Sequence, residues 1–245
     1  VFIKKWLYRI LMLICVGVFA FSAYQLYLIY SSSKQVEDET AALQEYVIEE
    51  DYLQPDWASL QAENPDIIAW VYVPGCNISF PVVQGDDNSY YLTHTTKNEY
   101  NERGAIFLDY QANPSFTDNN SIIYGHSVES GGMFTDLKNY SDQTFFSEHP
   151  VFYLLTPNAN YECQIMTYAK SNDGSVYYTT SFGGYRDDVI NQMKTNALYY
   201  NDVDTTDKSL VTLSTCDLDY GFNSDRRLIL TGVLNQITDP IKIID

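Results

Sequence analysis

The chain opens with a nearly unbroken apolar run, Ile10 to Tyr30, of about the length a helix needs to cross a bilayer. Lys4, Lys5 and Arg9 precede it and predict a cytoplasmic N-terminus. Trp6 and Tyr8 on one side, and Tyr24, Tyr27 and Tyr30 on the other, fit interfacial aromatic anchors. A cleaved signal peptide, with Ala20-Phe-Ser22 as a weak small-x-small site, is the rival reading; the apolar run continues past that point, which counts against it. From Ser31 to about Gln61 the pattern turns polar and acidic, with apolar residues at Val36, Leu43, Tyr46, Val47, Leu53, Trp57 and Leu60. That spacing predicts amphipathic helix broken near Pro55, with Asp56 as the N-cap of a second helix.

Beyond Pro65 the period shortens. Strand-like runs at 67–73, 78–83, 105–109, 121–124, 151–155, 161–170, 211–216 and 227–235 are separated by turn signals such as Pro74-Gly75 and Asn113-Pro114. One helix interrupts them, Tyr185 to Leu198, with Val189, Ile190, Met193 and Leu198 at helical spacing. Many short strands and few helices predict a mainly β barrel or sandwich. The 22 tyrosines agree, because aromatic rings suit a half-buried pleated surface. A net charge of −18 argues against nucleic acid or an anionic membrane surface as the main partner.

Candidate chemistry is sparse, which makes it easy to search. The four cysteines, Cys15, Cys76, Cys163 and Cys216, form no C-x-x-C pair and no metal-ligand spacing, so no metal and no cofactor is expected. A pairing of Cys76 with Cys163 stays open at this level. Only Cys216 has a chemical setting: Val211-Thr-Leu-Ser-Thr-Cys216 reads as a strand delivering a thiol to its C-terminal end, beside Ser214 on the same face. Of the three histidines, His94 and His149 lie in polar, loop-like settings. His126 ends the apolar strand Ser121-Ile-Ile-Tyr-Gly-His126. A returning strand opens with Arg226 and Arg227, one of which shares a face with the thiol, and pattern alone does not choose between them.

Thr212-Leu-Ser-Thr-Cys216, with arginine heading the next strand, resembles the active-site strand of sortases, the membrane-anchored cysteine transpeptidases of Gram-positive bacteria. The segments Asn64 to Trp70, Phe80 to Gln84, Asp87 to Leu92, Gly104 to Asp109, Ile122 to His126 and Met133 to Leu137 resemble class B members, as do the N-terminal helices and the helix before the cysteine strand. The resemblance implies an eight-stranded β-barrel at 64–245, preceded by a cytoplasmic segment at 1–9, a transmembrane helix at 10–30 and a helical extension at 31–63. It implies Cys216 as nucleophile, His126 as acid/base and Arg227, rather than Arg226, as oxyanion stabiliser, aided by the backbone N–H of Asp217. Ser214, Asn88, Leu92 and Asp217 are implied substrate contacts. The calcium cluster of class A members has no match here. The implied partners are secreted proteins carrying a C-terminal sorting signal and a cell-wall peptide amine, met by a single-pass membrane enzyme with its catalytic domain outside. Pilin polymerisation, simple cysteine endopeptidase activity and a non-catalytic surface-binding domain are the alternatives.

Overall fold

The computed structural model describes residues 2–221 and 224–243, and the chain divides into two units, residues 1–38 and 39–245. The described residues of the first unit are all helical. They belong to α1 (Phe2–Gln44), which passes through the predicted span without a break. Large apolar side chains from Trp6 to Tyr30 are exposed along it, and the helix is long and apolar enough to cross a membrane.

In the second unit the amphipathic spacing after Gln44 does not continue as helix. Residues 48–53 form a small hairpin, β1 (Ile48–Glu49) and β2 (Tyr52–Leu53), turning through Glu50 at a φ of 55°. Its second strand pairs with β12 (Ile241–Lys242), so that Ile241 lies opposite Leu53. The reason is packing. Leu43, Val47, Leu53, Leu60 and Ile241 bury together against Trp70, and a β-branched pair such as Val47-Ile48 accepts the extended backbone this needs. Asp56 then caps α2 (Trp57–Glu63), accepting from the N–H groups of Ala58 and Ser59, as its position predicts.

The body is a closed barrel. Its strands are β3 (Ile67–Val73), β4 (Ile78–Val83), β5 (Ile106–Leu108), β6 (Asn120–Tyr124), β7 (Val151–Leu155), β8 (Asn160–Asn172), β10 (Leu210–Cys216) and β11 (Arg226–Ile237). They run in the order β11-β10-β6-β5-β4-β3-β7-β8, and β8 pairs with β11 to close the ring of eight. A short β9 (Tyr199–Tyr200) extends the edge of β8 at Thr167 and Tyr168. All neighbours are antiparallel except β4–β5 and β6–β10. The parallel β6–β10 pair brings the C-terminal ends of both strands to the same rim.

Two helices attach to the barrel wall. α3 (Gln143–Glu148) precedes β7, and α4 (Arg186–Asn196) lies within the long β8–β10 connection. Ile190 and Met193 of α4 bury with Tyr177, Phe182, Leu210, Ile229 and Val233. Leu210 therefore faces the inserted segment, and alternation puts Thr212, Ser214 and Cys216 on that same face while Val211 and Leu213 point the other way. The insertion covers this face of β10 as far as Ser214, which Tyr178 touches, and leaves the half-buried Cys216 at its open end. Asn120 fastens the cover, its amide nitrogen donating to the carbonyls of Tyr177 and Thr179 and its oxygen accepting from the Thr212 hydroxyl.

Candidate active site

At the open end of this face lies a cavity of about 380 Å³. Cys216, His126 and Arg227 all line it, together with Ser214, Asn88 and Leu92. Strand pairing explains the convergence. β6 and β10 run parallel with Tyr124 opposite Ser214, and the Gly125 N–H donates to the Ser214 carbonyl at 3.1 Å, so His126 and Cys216 leave the sheet side by side. Across the antiparallel β10–β11 ladder Cys216 lies opposite Arg227. Cross-strand partners share a face, so the register sends Arg227 into the cavity and Arg226 away from it. Arg226 instead donates to Asn172 Oδ1 and lies 5.3 Å from the centre of the Tyr220 ring.

Gly125 is there because nothing larger fits: a Cβ would sit 2.4 Å from Ile106 Cδ1 and 2.7 Å from Phe134 Cδ2. Among the described residues the His126 ring is held by one long-range contact, its Nε2 lying 2.9 Å from the carbonyl oxygen of Leu92. A carbonyl only accepts, so Nε2 carries the hydrogen and Nδ1 is the basic nitrogen of the neutral ring. Leu92 thus contributes a main-chain acceptor as well as cavity wall.

The guanidinium of Arg227 is clamped on two sides. Nη1 donates to the carbonyls of Ser224 (2.7 Å) and Arg226 (3.0 Å), and Nη2 to Asp173 Oδ2 (3.1 Å). Asn88 is also fixed, its amide nitrogen donating to Asp109 Oδ2 and its oxygen accepting from the Tyr110 N–H. Asp217 departs from expectation. It does not line the cavity, its side chain is buried with Oδ1 accepting from the Asp219 N–H, and its own N–H donates to the Arg226 carbonyl at 3.0 Å. The main-chain donor anticipated for an oxyanion is therefore engaged in the strand ladder.

Sequence reasoning passed over the aromatic wall. Phe107, Tyr124 and Tyr178 line the cavity, with Tyr124 stacked near-parallel to Tyr178 at 6.5 Å and tilted against Phe107 at 5.3 Å. Tyr124 lies two residues before His126, and the two-residue period could have placed it on the same side. Tyr178 had no such signal, since it comes from the β8–α4 connection. Its hydroxyl lies 2.6 Å from Ser214 Oγ. Burial raises the Tyr178 phenol above its ordinary range, opposed by the Ser214 contact and the positive charge of Arg227. Tyr124 is raised too, by burial and by the Asp109 carboxylate that accepts its hydroxyl.

The remaining cysteines lie elsewhere as separate free thiols: Cys163 is fully buried and Cys76 partly so, with Sγ 3.6 Å from the Asp136 carbonyl. Among the described residues no cluster of His, Cys, Asp and Glu could hold a metal ion.

A thiol, an imidazole and a fixed guanidinium in one cavity are the groups an acyl transfer through a thioester requires. Residues 71–235 match the sortase domain family model. The chain belongs to the sortase family. It is similar to the sortase B of Listeria monocytogenes, 32% identical over 240 residues that cover 93% of this chain and 96% of that one. The sortase B of Staphylococcus aureus is 28% identical over 188 residues, 76% of this chain and 77% of its own. Among solved structures, a Staphylococcus aureus sortase B–substrate complex superposes with a TM-score of 0.76 at 25% identity, covering 85% of this chain and all of that one. The eight-stranded barrel is thus the sortase barrel, and the activity is that of a sortase-type cysteine transpeptidase.

Proposed function

We propose that Cys216 attacks the acyl carbonyl of a sorting signal, with His126 as the acid/base and Arg227 as the oxyanion donor. The observation that carries this reading is the strand register: parallel β6–β10 and antiparallel β10–β11 deliver all three side chains to one rim. In the first half-reaction the Cys216 thiolate forms a bond to the carbonyl carbon, and the carbonyl electrons move to oxygen beside the Arg227 guanidinium. Collapse breaks the C–N bond, protonated His126 supplies the leaving amine with its proton, and a thioester remains on Cys216. In the second half an incoming amine attacks the thioester, gives its proton to His126, now neutral, and releases the Cys216 thiolate.

The substrate is a C-terminal sorting signal of the Asn-Pro-x-Thr type on a secreted protein, cleaved after Thr. The acceptor is a cell-wall peptide amine. Ser214, Asn88 and Leu92 contact the signal, supported by their place on the cavity wall, and the aromatic side chains Phe107, Tyr124 and Tyr178 give it apolar surface. Residues 1–9 lie in the cytoplasm, 10–30 span the membrane once, and the barrel from 64 onward faces the cell exterior, where secreted donor and wall precursor meet. The exposed apolar side chains all around α1 support this arrangement.

The test is product analysis. The protein is incubated with a sorting-signal peptide, with and without a small amine. Amide product that rises with amine concentration at the expense of hydrolysis supports the transferase; water addition alone at every amine concentration overturns it.

A further inference from the structure

Asp173 lines the cavity but has no part in the reaction just described. It follows directly on β8, whose last residue, Asn172, lies opposite Arg226, and its N–H donates to the Asp225 carbonyl at 2.9 Å. The main chain at 173 is thereby tied to the start of β11. Gly174, at a φ of 77°, turns the chain away at once, leaving the carboxylate at the rim, 3.1 Å from Arg227 Nη2. Arg227 has five N–H donors. Two on Nη1 go to the Ser224 and Arg226 carbonyls and one on Nη2 goes to Asp173. The Nε–H and the second Nη2–H have no partner among the described residues.

We propose that Asp173 is a positioning residue for Arg227: its carboxylate holds one edge of the guanidinium so that the two uncommitted donors are presented to the oxyanion. The inference rests on the reading of Arg227 given above. A purely stabilising ion pair is the competing explanation, and the exposure of the carboxylate argues against it. The Asp173 side chain is 57% exposed, where an ion pair adds little to stability, and the long β8–β11 ladder already secures the two strands. A mobile guanidinium, by contrast, is a poor oxyanion donor, because preorganisation is what such a group contributes.

The experiment compares Asp173→Ala, Asp173→Asn and Asp173→Glu with the parent and with Arg227→Ala, measuring kcat and KM for a sorting-signal peptide together with the melting temperature. Asp173→Ala is expected to lower kcat about 10- to 100-fold with KM within about twofold, since the contact acts on the transition state. Asp173→Asn, which keeps an acceptor but not the charge, falls between. Asp173→Glu recovers part of the loss, and removing Asp173 from the Arg227→Ala background has less than about a twofold further effect. A kcat within twofold of the parent for Asp173→Ala, beside a large loss in Arg227→Ala, overturns the inference and leaves Arg227 in its role. Full activity in Arg227→Ala overturns both. A fall in kcat that tracks the melting temperature equally in all three variants also overturns the inference.

Discussion

His126 and the pair His94 and His149 occupy two kinds of place. His94 ends a single turn, with Nδ1 2.9 Å from the Tyr90 carbonyl oxygen and its ring stacked on Tyr90 at 4.1 Å. His149 repeats the device at the end of α3, with Nδ1 3.0 Å from the Phe145 carbonyl oxygen and its ring stacked on Phe145 at 3.9 Å. Both imidazoles are thus satisfied four residues back along their own chain. His126 makes its side-chain contact 34 residues away, at Leu92, and lines the cavity. A histidine held by its own turn is closing that turn. One held from a distance, with its other nitrogen unbonded among the described residues, is suited to the proton transfers proposed for His126. The same line separates the two arginines: Arg226 packs over Tyr220 outside the cavity, and Arg227 lies across from the thiol.

Substitutions can break this comparison. The largest effect is expected at His126→Ala, a loss of about 100- to 10,000-fold in kcat/KM, with His94→Ala and His149→Ala within a few-fold of the parent. Equal losses at all three would erase the distinction. Arg227→Ala is expected to lose about 100- to 1,000-fold, against a few-fold for Arg226→Ala, read in the same peptide assay. Gly125→Ala forces a methyl group against Ile106 and Phe134 and is expected to destabilise by about 1–3 kcal/mol in denaturant melts while lowering activity through His126. His149→Ala is expected to cost about 1–2 kcal/mol, from the lost contact with the Phe145 carbonyl and the lost ring stack. The smallest effect concerns the thiols. Burial, reinforced by the Asp136 carboxylate, pushes the Cys76 thiol up to about 12, so it stays protonated and unreactive from about pH 6 to 10. Peptide mapping after brief alkylation should find Cys216 modified and Cys76 intact; prompt labelling of Cys76 would contradict its buried, neutral state.

Legibility followed the range of the information. The eight barrel strands were readable because each carries its own apolar period and its own turn signals, as with Ile67–Val73 and Ile78–Val83, which match their expected ends. The sheet of Ile48–Glu49, Tyr52–Leu53 and Ile241–Lys242 was not, because two-residue strands have no period and Leu53 finds its partner at the far end of the chain. α4 runs Arg186–Asn196, within the expected helix, but Leu198 leaves it, its N–H donating to the Tyr168 carbonyl as the chain enters the adjoining strand. In the cavity, Cys216 and His126 were legible as polar groups ending apolar strands. The face of Arg227 depends on register with Cys216, a pairing across the Asp217 turn that alternation within one strand does not set. Asp173 and Tyr178 arrive from an irregular connection with no periodic signal.

In the proposed reaction the acyl group passes through a thioester on Cys216. Intact-mass analysis of the protein mixed with a sorting-signal peptide in the absence of an amine tests it most directly. The expected result is an adduct with the mass of the peptide portion up to the cleaved bond, mapped to Cys216, absent in Cys216→Ala and discharged as amide when an amine is added. Amide formation by Cys216→Ala at the parent's rate, or an adduct mapped to another residue, would contradict it.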